Sequence, residues 1–437
     1  MVVKSLKHRG IGLERRRLYP GSALIIGLLA FFYTWTIFFP YVQNLFELET
    51  TAGIALGSSL AGLGAMVVIP PIIGSILDRS KSAVVPSLVA ATFIALGGIS
   101  FALMTSMDSW ATAKWFWYAA SFLLGGGATA LATGFLPPLV AQWFADDEQG
   151  SAQGLMMGAR YLALAAASPI IGGLLELLGF SFGFAMAVTL FGVAVTIVLG
   201  AFVWRFPTIE EREEILGEEV ESDDDKDLVE ANSLPLKAAM TDARFWILLV
   251  AMTGASFSFT GFQQNFSLIL VEGLVENAGY SEGFISGTVV PTFLSINYIF
   301  MGAGAIFWGR VMDYLGGPFR ALILVYGIPA TLYVVFFLSY TMLIPVLIVG
   351  ALIFFGLGGE PPVHYAAVPT FFGRENVGKL ITYMNAVSVG MGMFFGPVVF
   401  AWVNDMTGVY LASFAVAVVV RFVSAGAAAV GTQVATE

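Results

Sequence analysis

Apolar residues run along this chain in blocks of about 20 residues or more, the length an α-helix needs to cross about 30 Å of hydrocarbon. Short polar intervals or glycine and proline separate them. The blocks fall at 21–46, 51–77, 83–104, 114–144, 150–178 and 180–204, then at 245–271, 284–312, 320–340, 342–372, 377–403 and 409–430. Short alternating segments of the barrel-strand kind are not seen. The pattern predicts an all-α membrane protein of twelve transmembrane helices, six on each side of a polar interval.

Composition agrees with that reading, with 58% hydrophobic and only 11% charged residues. The central interval is the exception. Twelve acidic residues stand between positions 209 and 231 against only Arg212 and Lys226, which alone equals the net charge of -10 for the whole protein. The rest of the chain is therefore electrically balanced, and the acid run reads as a solvated linker. The expected divisions are a tail at 1–20, a first six-helix bundle at 21–205, the linker at 206–243, a second bundle at 244–431 and a tail at 432–437. With the first tail inside, 17 of the 20 lysines and arginines fall on the inner face, so both tails and the linker are expected in the cytoplasm and the helices in the plasma membrane. No cleavable leader is expected, since the basic tail runs straight into an apolar block long enough to span.

The halves repeat one another. Trp143-Phe144, Gly150 and Pro169 recur as Phe371-Phe372, Gly378 and Pro397, each 228 positions on. Gly74 and Asp78 recur as Gly309 and Asp313, each 235 positions on. Two such repeats joined by a cytoplasmic linker suit a rocking transporter with a midplane site between them.

Gly74, Asp78 and Arg79, echoed by Gly309, Asp313, Gly316 and Arg320, resemble the signature of the major facilitator superfamily, and the resemblance covers essentially the full length. It implies the twelve-helix major facilitator fold. It further implies that Gly74, Asp78, Arg79, Gly309, Asp313 and Arg320 form the inner gate. Trp143-Phe144 through Gly150, Gly154-Leu155 and Pro169 resemble the oxalate/formate exchanger and monocarboxylate transporter group. Ser168-Pro169 with Gly172-Gly173 is similar in part to the drug/proton antiporter signature.

Ionisable residues inside spans carry the readable chemistry, because a charge at mid-bilayer is costly and faces a cavity or a partner. Arg160 lies about 15 Å and Glu360 about 18 Å from their inner helix ends at about 1.5 Å per residue; His364 is one turn from Glu360. Three readings compete. Arg160 grips a carboxylate with paired hydrogen bonds, or it forms an ion pair with Glu360 across the halves, or Glu360 and His364 carry a proton. Tyr33, Gln264, Asn297 and Asn385 join Arg160 as candidate substrate contacts, with Gln263 and Asn265 at comparable depth. Arg421, in the last span, is expected to snorkel or pack outside the cavity. Trp110, Trp115 and Trp117 suit an interfacial belt, and Gly57, Gly62, Gly125 and Gly392 suit close helix contacts.

No phosphate loop, nucleophile elbow or paired-histidine metal site is present, so an enzyme or an ATP-driven pump is not expected. No cofactor, metal or nucleic acid is anticipated, and cysteine is absent. The expectation is a monomeric secondary transporter in the lipid bilayer. It moves a small mono- or dicarboxylate by exchange or proton coupling. The alternatives are proton-coupled efflux of an amphipathic compound and a non-transporting sensor or scaffold.

Overall fold

The structure is a computed structural model and describes residues 38, 42, 44–48, 52–80, 82–127, 135–178, 188–189, 191–195, 204–208, 211, 236–281, 284–285, 289–373 and 377–434. These form helices and their connections, with no strand among them. In the first half, α1 (Ala52–Gly62) passes through a π-turn into α2 (Ile69–Ser80), followed by α3 (Val84–Thr105), α4 (Trp110–Ala120), α5 (Leu136–Trp143) and α6 (Gln149–Leu178). The second half contains α7 (Ala243–Val271), α8 (Val290–Leu315), α9 (Pro318–Ser339), α10 (Leu343–Leu357), α11 (Glu360–Phe372), α12 (Val377–Thr407) and α13 (Tyr410–Val434). Among the described residues six stretches are long and apolar enough to cross a membrane: Val84–Thr105, Ala243–Gln263, Pro318–Ser339, Leu343–Phe372, Val377–Asn404 and Ala412–Val434. Leu338, Ile344 and Trp402 are exposed on them, as side chains solvated by lipid rather than water.

Each half buries its own core. Trp117, Phe135 and Trp143 anchor the first, and Phe262, Phe266, Phe336 and Phe354 the second. The second is an aromatic lattice: Phe262 lies 5.3 Å from Phe336 and 5.7 Å from Phe354. Of the expected aromatic belt, Trp115 is exposed as predicted, but Trp117 is fully buried and donates to the Ile54 carbonyl at 3.1 Å. Its placement follows from Gly57, where any Cβ would strike the indole; the ring fills a hollow that glycine leaves.

The tenth span is broken at Gly358 and Gly359, where α10 gives way to α11. Pro361 and Pro362 have no N–H to return to the preceding turn, so the ladder is interrupted there. At Gly358 and Gly359 a Cβ would meet the Met301 carbonyl and the Trp308 ring. The pair of glycines therefore lets α8 press against the break, beyond which Glu360 opens the first turn of α11.

Where the linker begins, Thr208 and Glu211 form a reciprocal cap: the Thr208 N–H donates to Glu211 Oε2 at 2.8 Å and the Glu211 N–H to Thr208 Oγ1 at 3.3 Å. Arg205 grips both Glu211 oxygens at 2.7 and 2.6 Å. It also lies over the Trp143 ring, whose Nε1 donates to the Arg205 carbonyl at 2.8 Å. The Arg205 hydrogen bond, ahead of the caps, pulls the Glu211 carboxyl down to about 2. A lowered folded-state value stabilises above the unfolded value of 4.5, and that contribution fades as pH falls through about 2. Carboxyl NMR should show that midpoint, with Arg205→Gln moving it back toward 4.5; a midpoint indifferent to Arg205 would refute the contact.

Candidate functional site

Where the halves meet, two latches join them at one end of the bundle. Asp313, in the last turn of α8, accepts from the N–H groups of Gly150 and Ser151 at 2.8 and 2.7 Å, capping the start of α6 across the interface. Close approach is possible because Gly150 and Gly309 face one another: a Cβ on either would strike the other's carbonyl. The related pair repeats the arrangement, with the Gly378 carbonyl and Thr382 against Gly74. The side chain of Asp78 lies outside the described residues, whereas Arg79 is exposed. Arg320, also exposed, donates to the Leu315 carbonyl at 3.2 Å, at the end of α8.

A larger side chain at Gly150 should wedge this end open. Because the protein has no cysteine, Ser256→Cys can report from the cavity wall. Adding Gly150→Val should raise its labelling by an impermeant thiol reagent several-fold from the Asp313 side; unchanged labelling would mean the glycines do not hold the gate.

Above the latches lies a cavity of about 100 Å³. Arg160, Tyr161 and Leu164 of α6 form one wall. Ser256, Phe259, Thr260 and Gln263 of α7 face them, with Tyr298 and Met301 of α8, Glu360, Pro361, His364 and Tyr365 of α11, and Asn385, Val389 and Met393 of α12. Arg160 is eleven residues into α6 and Glu360 twelve before the end of α11. At about 1.5 Å per residue both sit near mid-membrane.

The structure thus brings four sequence candidates, Arg160, Glu360, His364 and Asn385, onto one cavity. Asn297 is buried but off the wall, which Tyr298 and Met301 form instead. Tyr33 and the side chain of Gln264 lie outside the described residues; the neighbouring Gln263 lines the cavity. Asn265 is turned away, its Nδ2 donating to the carbonyls of Gly261 and Pro397 at 2.9 and 3.3 Å.

Glu360 is held by Arg421 rather than Arg160. The Arg421 Nη2 donates to Glu360 Oε1 at 2.5 Å, with both side chains almost wholly buried, and reaches the Ala255 carbonyl at 3.4 Å. The guanidinium lies 5.3 Å from the Tyr333 ring centroid. Arg421 therefore does not snorkel. Eleven residues past Tyr410 it is too deep to reach either surface, so it is stabilised by an internal anion and an aromatic face. His364 is joined at Nε2 to the Tyr326 hydroxyl at 2.5 Å. Sequence reasoning missed Tyr326 and Tyr333, and although it named Arg421 it did not pair that residue with Glu360; a depth count like the one applied to Arg160 would have pointed to the pairing.

Three comparisons bear on this architecture. A family model described as Major Facilitator Superfamily matches residues 23–361. No curated protein matches the sequence. Among solved structures, a variant of the E. coli fucose:proton symporter FucP is similar with a TM-score of 0.70 and 14% identity, over 97% of this chain and 99% of that one. The human organic anion transporter MFSD10 is similar with a TM-score of 0.66 and 15% identity, over 95% and 99%. At these identities the likeness is one of fold.

Proposed function

The chain belongs to the major facilitator superfamily of secondary transporters, and from that premise we propose that its cargo is a small carboxylate held at mid-membrane by Arg160. The observation that carries this reading is the position of Arg160, a buried guanidinium on the cavity wall facing Ser256, Gln263 and Asn385, about eleven residues into its helix. The planar guanidinium fork matches a carboxylate in particular.

Glu360 and His364 share that wall and are the groups through which a proton would be coupled to the cargo; exchange of one anion for another needs neither. This reading accords with membership of the oxalate/formate exchanger and monocarboxylate group. It places a monomer in the plasma membrane with both termini and the acidic linker in the cytoplasm. Thermal stabilisation of the purified protein by a panel of short carboxylates, followed by uptake of any that act into proteoliposomes, tests the proposal. If none acts, efflux of an amphipathic compound moves ahead, since Phe259, Met301 and Met393 would give it apolar contacts on the same wall.

A further inference from the structure

One face of α8 is left open to the membrane. Ala303, Ile306, Phe307, Arg310, Val311 and Tyr314 follow one another at helical spacing, so they form a single stripe, and together they line an open groove of about 590 Å³. The other side of the helix, with Ala305, Trp308 and Met312, is buried. Ile306 abuts Gly158 of α6, where a Cβ would strike its Cγ1, and the Phe307 ring lies 5.3 Å from that of Phe355 in α10. The stripe thus follows the seam between α6 of the first half and α10 of the second. From Ala303 to Tyr314 it covers about 16 Å at about 1.5 Å per residue, which is about half of the 30 Å hydrocarbon layer. It spans one leaflet, at the end where Asp313 joins the halves.

We propose that this groove holds one phospholipid with a net negative headgroup, its phosphate on Arg310 and one acyl chain along the stripe. Lipid tails are as apolar as the groove, so seating a chain there gains little by itself; the selectivity comes from the headgroup. Arg310 is exposed and has no hydrogen-bond or ion-pair partner among the described residues. The nearby carboxylate does not neutralise it, since Asp313 is spent on the Gly150 and Ser151 N–H groups. Arg310 stands five residues before the end of α8, about 7.5 Å deep at the same rise, and from there an arginine side chain reaches the phosphate level. Its guanidinium fork takes two phosphate oxygens. In phosphatidylcholine an ammonium already balances that phosphate, whereas in phosphatidylglycerol nothing does. Tyr314, 90% exposed, adds a ring at the interface, where tyrosine anchors. A second copy of the chain fits the face less well, because a twofold contact on this stripe would set Arg310 near Arg310.

Native mass spectrometry of the full-length protein, titrated in detergent with dioleoyl phosphatidylglycerol or dioleoyl phosphatidylcholine, tests the assignment. The wild type should bind phosphatidylglycerol about fivefold or more tighter, the difference expected from one cation at a membrane surface. Arg310→Gln should erase that preference, and Arg310→Lys should keep part of it. Ala303→Trp, which fills the groove but keeps the charge, should weaken binding of both lipids; Val311→Trp repeats the comparison if that variant does not fold. Equal binding of the two lipids by the wild type, or a preference that survives R310Q, overturns the proposal. So does wild-type binding by A303W, since Arg310 would then attract lipid without the groove. A dimer in the same spectra that A303W dissolves would give the face to a second copy and overturn it as well.

Discussion

Replacing Arg160 by glutamine should abolish carboxylate-dependent stabilisation and transport while leaving a folded protein. A hydrogen bond to a charged partner contributes about 1.5–3 kcal/mol, and two parallel ones with their Coulomb attraction add geometric selectivity. Affinity should therefore fall by roughly a hundredfold or more, since about 1.4 kcal/mol corresponds to tenfold. Arg160→Lys keeps the charge but not the fork, so it should recover only part of the binding. The unliganded melting temperature need not fall with it, because a buried guanidinium carries its own desolvation cost; the ligand-induced shift is the quantity to compare. If R160Q responds to a carboxylate as the wild type does, Arg160 is a structural residue and the anion reading fails at its anchor.

The fold could be read from the sequence because membrane insertion leaves few choices. Runs such as 320–340 and 409–430 have no stable place except across hydrocarbon, and a span there must be helical. The described helices α9 and α13 follow those runs within a few residues. The repeat offsets matched Gly150 with Gly378 and Gly74 with Gly309; the structure packs them crosswise, Gly150 on Gly309 and Gly74 on Gly378, a pairing the offsets did not supply. What periodicity could not supply was rotation about each helix axis. Arg160, Glu360 and Asn385 were singled out by depth and polarity, yet nothing in the string says that Asn297 faces away from the cavity while Tyr298 faces it. Trp117 was misread for a related reason: an aromatic residue near a span end looks interfacial until a glycine on the neighbouring helix opens a hollow for it. Arg421 packs off the cavity wall, one of its two expected placements, but its pairing with Glu360 went unseen because its fold position was weighed above its depth.

The buried pair in the second half sets up the other large effect. Arg421→Met should destabilise the protein by about 3–5 kcal/mol, because removing one member leaves a carboxylate in the core with no counter-charge. The Arg421 Nε and Nη1 atoms have no partner among the described residues, so its attachment rests on the Nη2 contacts and the Tyr333 face. Glu360→Gln should cost as much or more, since it strands a cation that cannot lose its charge. Combining the two removes both desolvation terms, so the double variant should recover most of the loss and give a coupling energy well above the scatter of independent sites. Additive losses would show that Glu360 and Arg421 are not energetically paired. Transport should separate the three in a second way. R421M leaves Glu360 unbalanced opposite Arg160 and should weaken anion binding by repulsion, whereas the double variant leaves Arg160 as the charge at the wall and should still bind the anion. A double variant that is folded, stable and blind to carboxylates would mean that the pair shapes the site itself rather than balancing its charge.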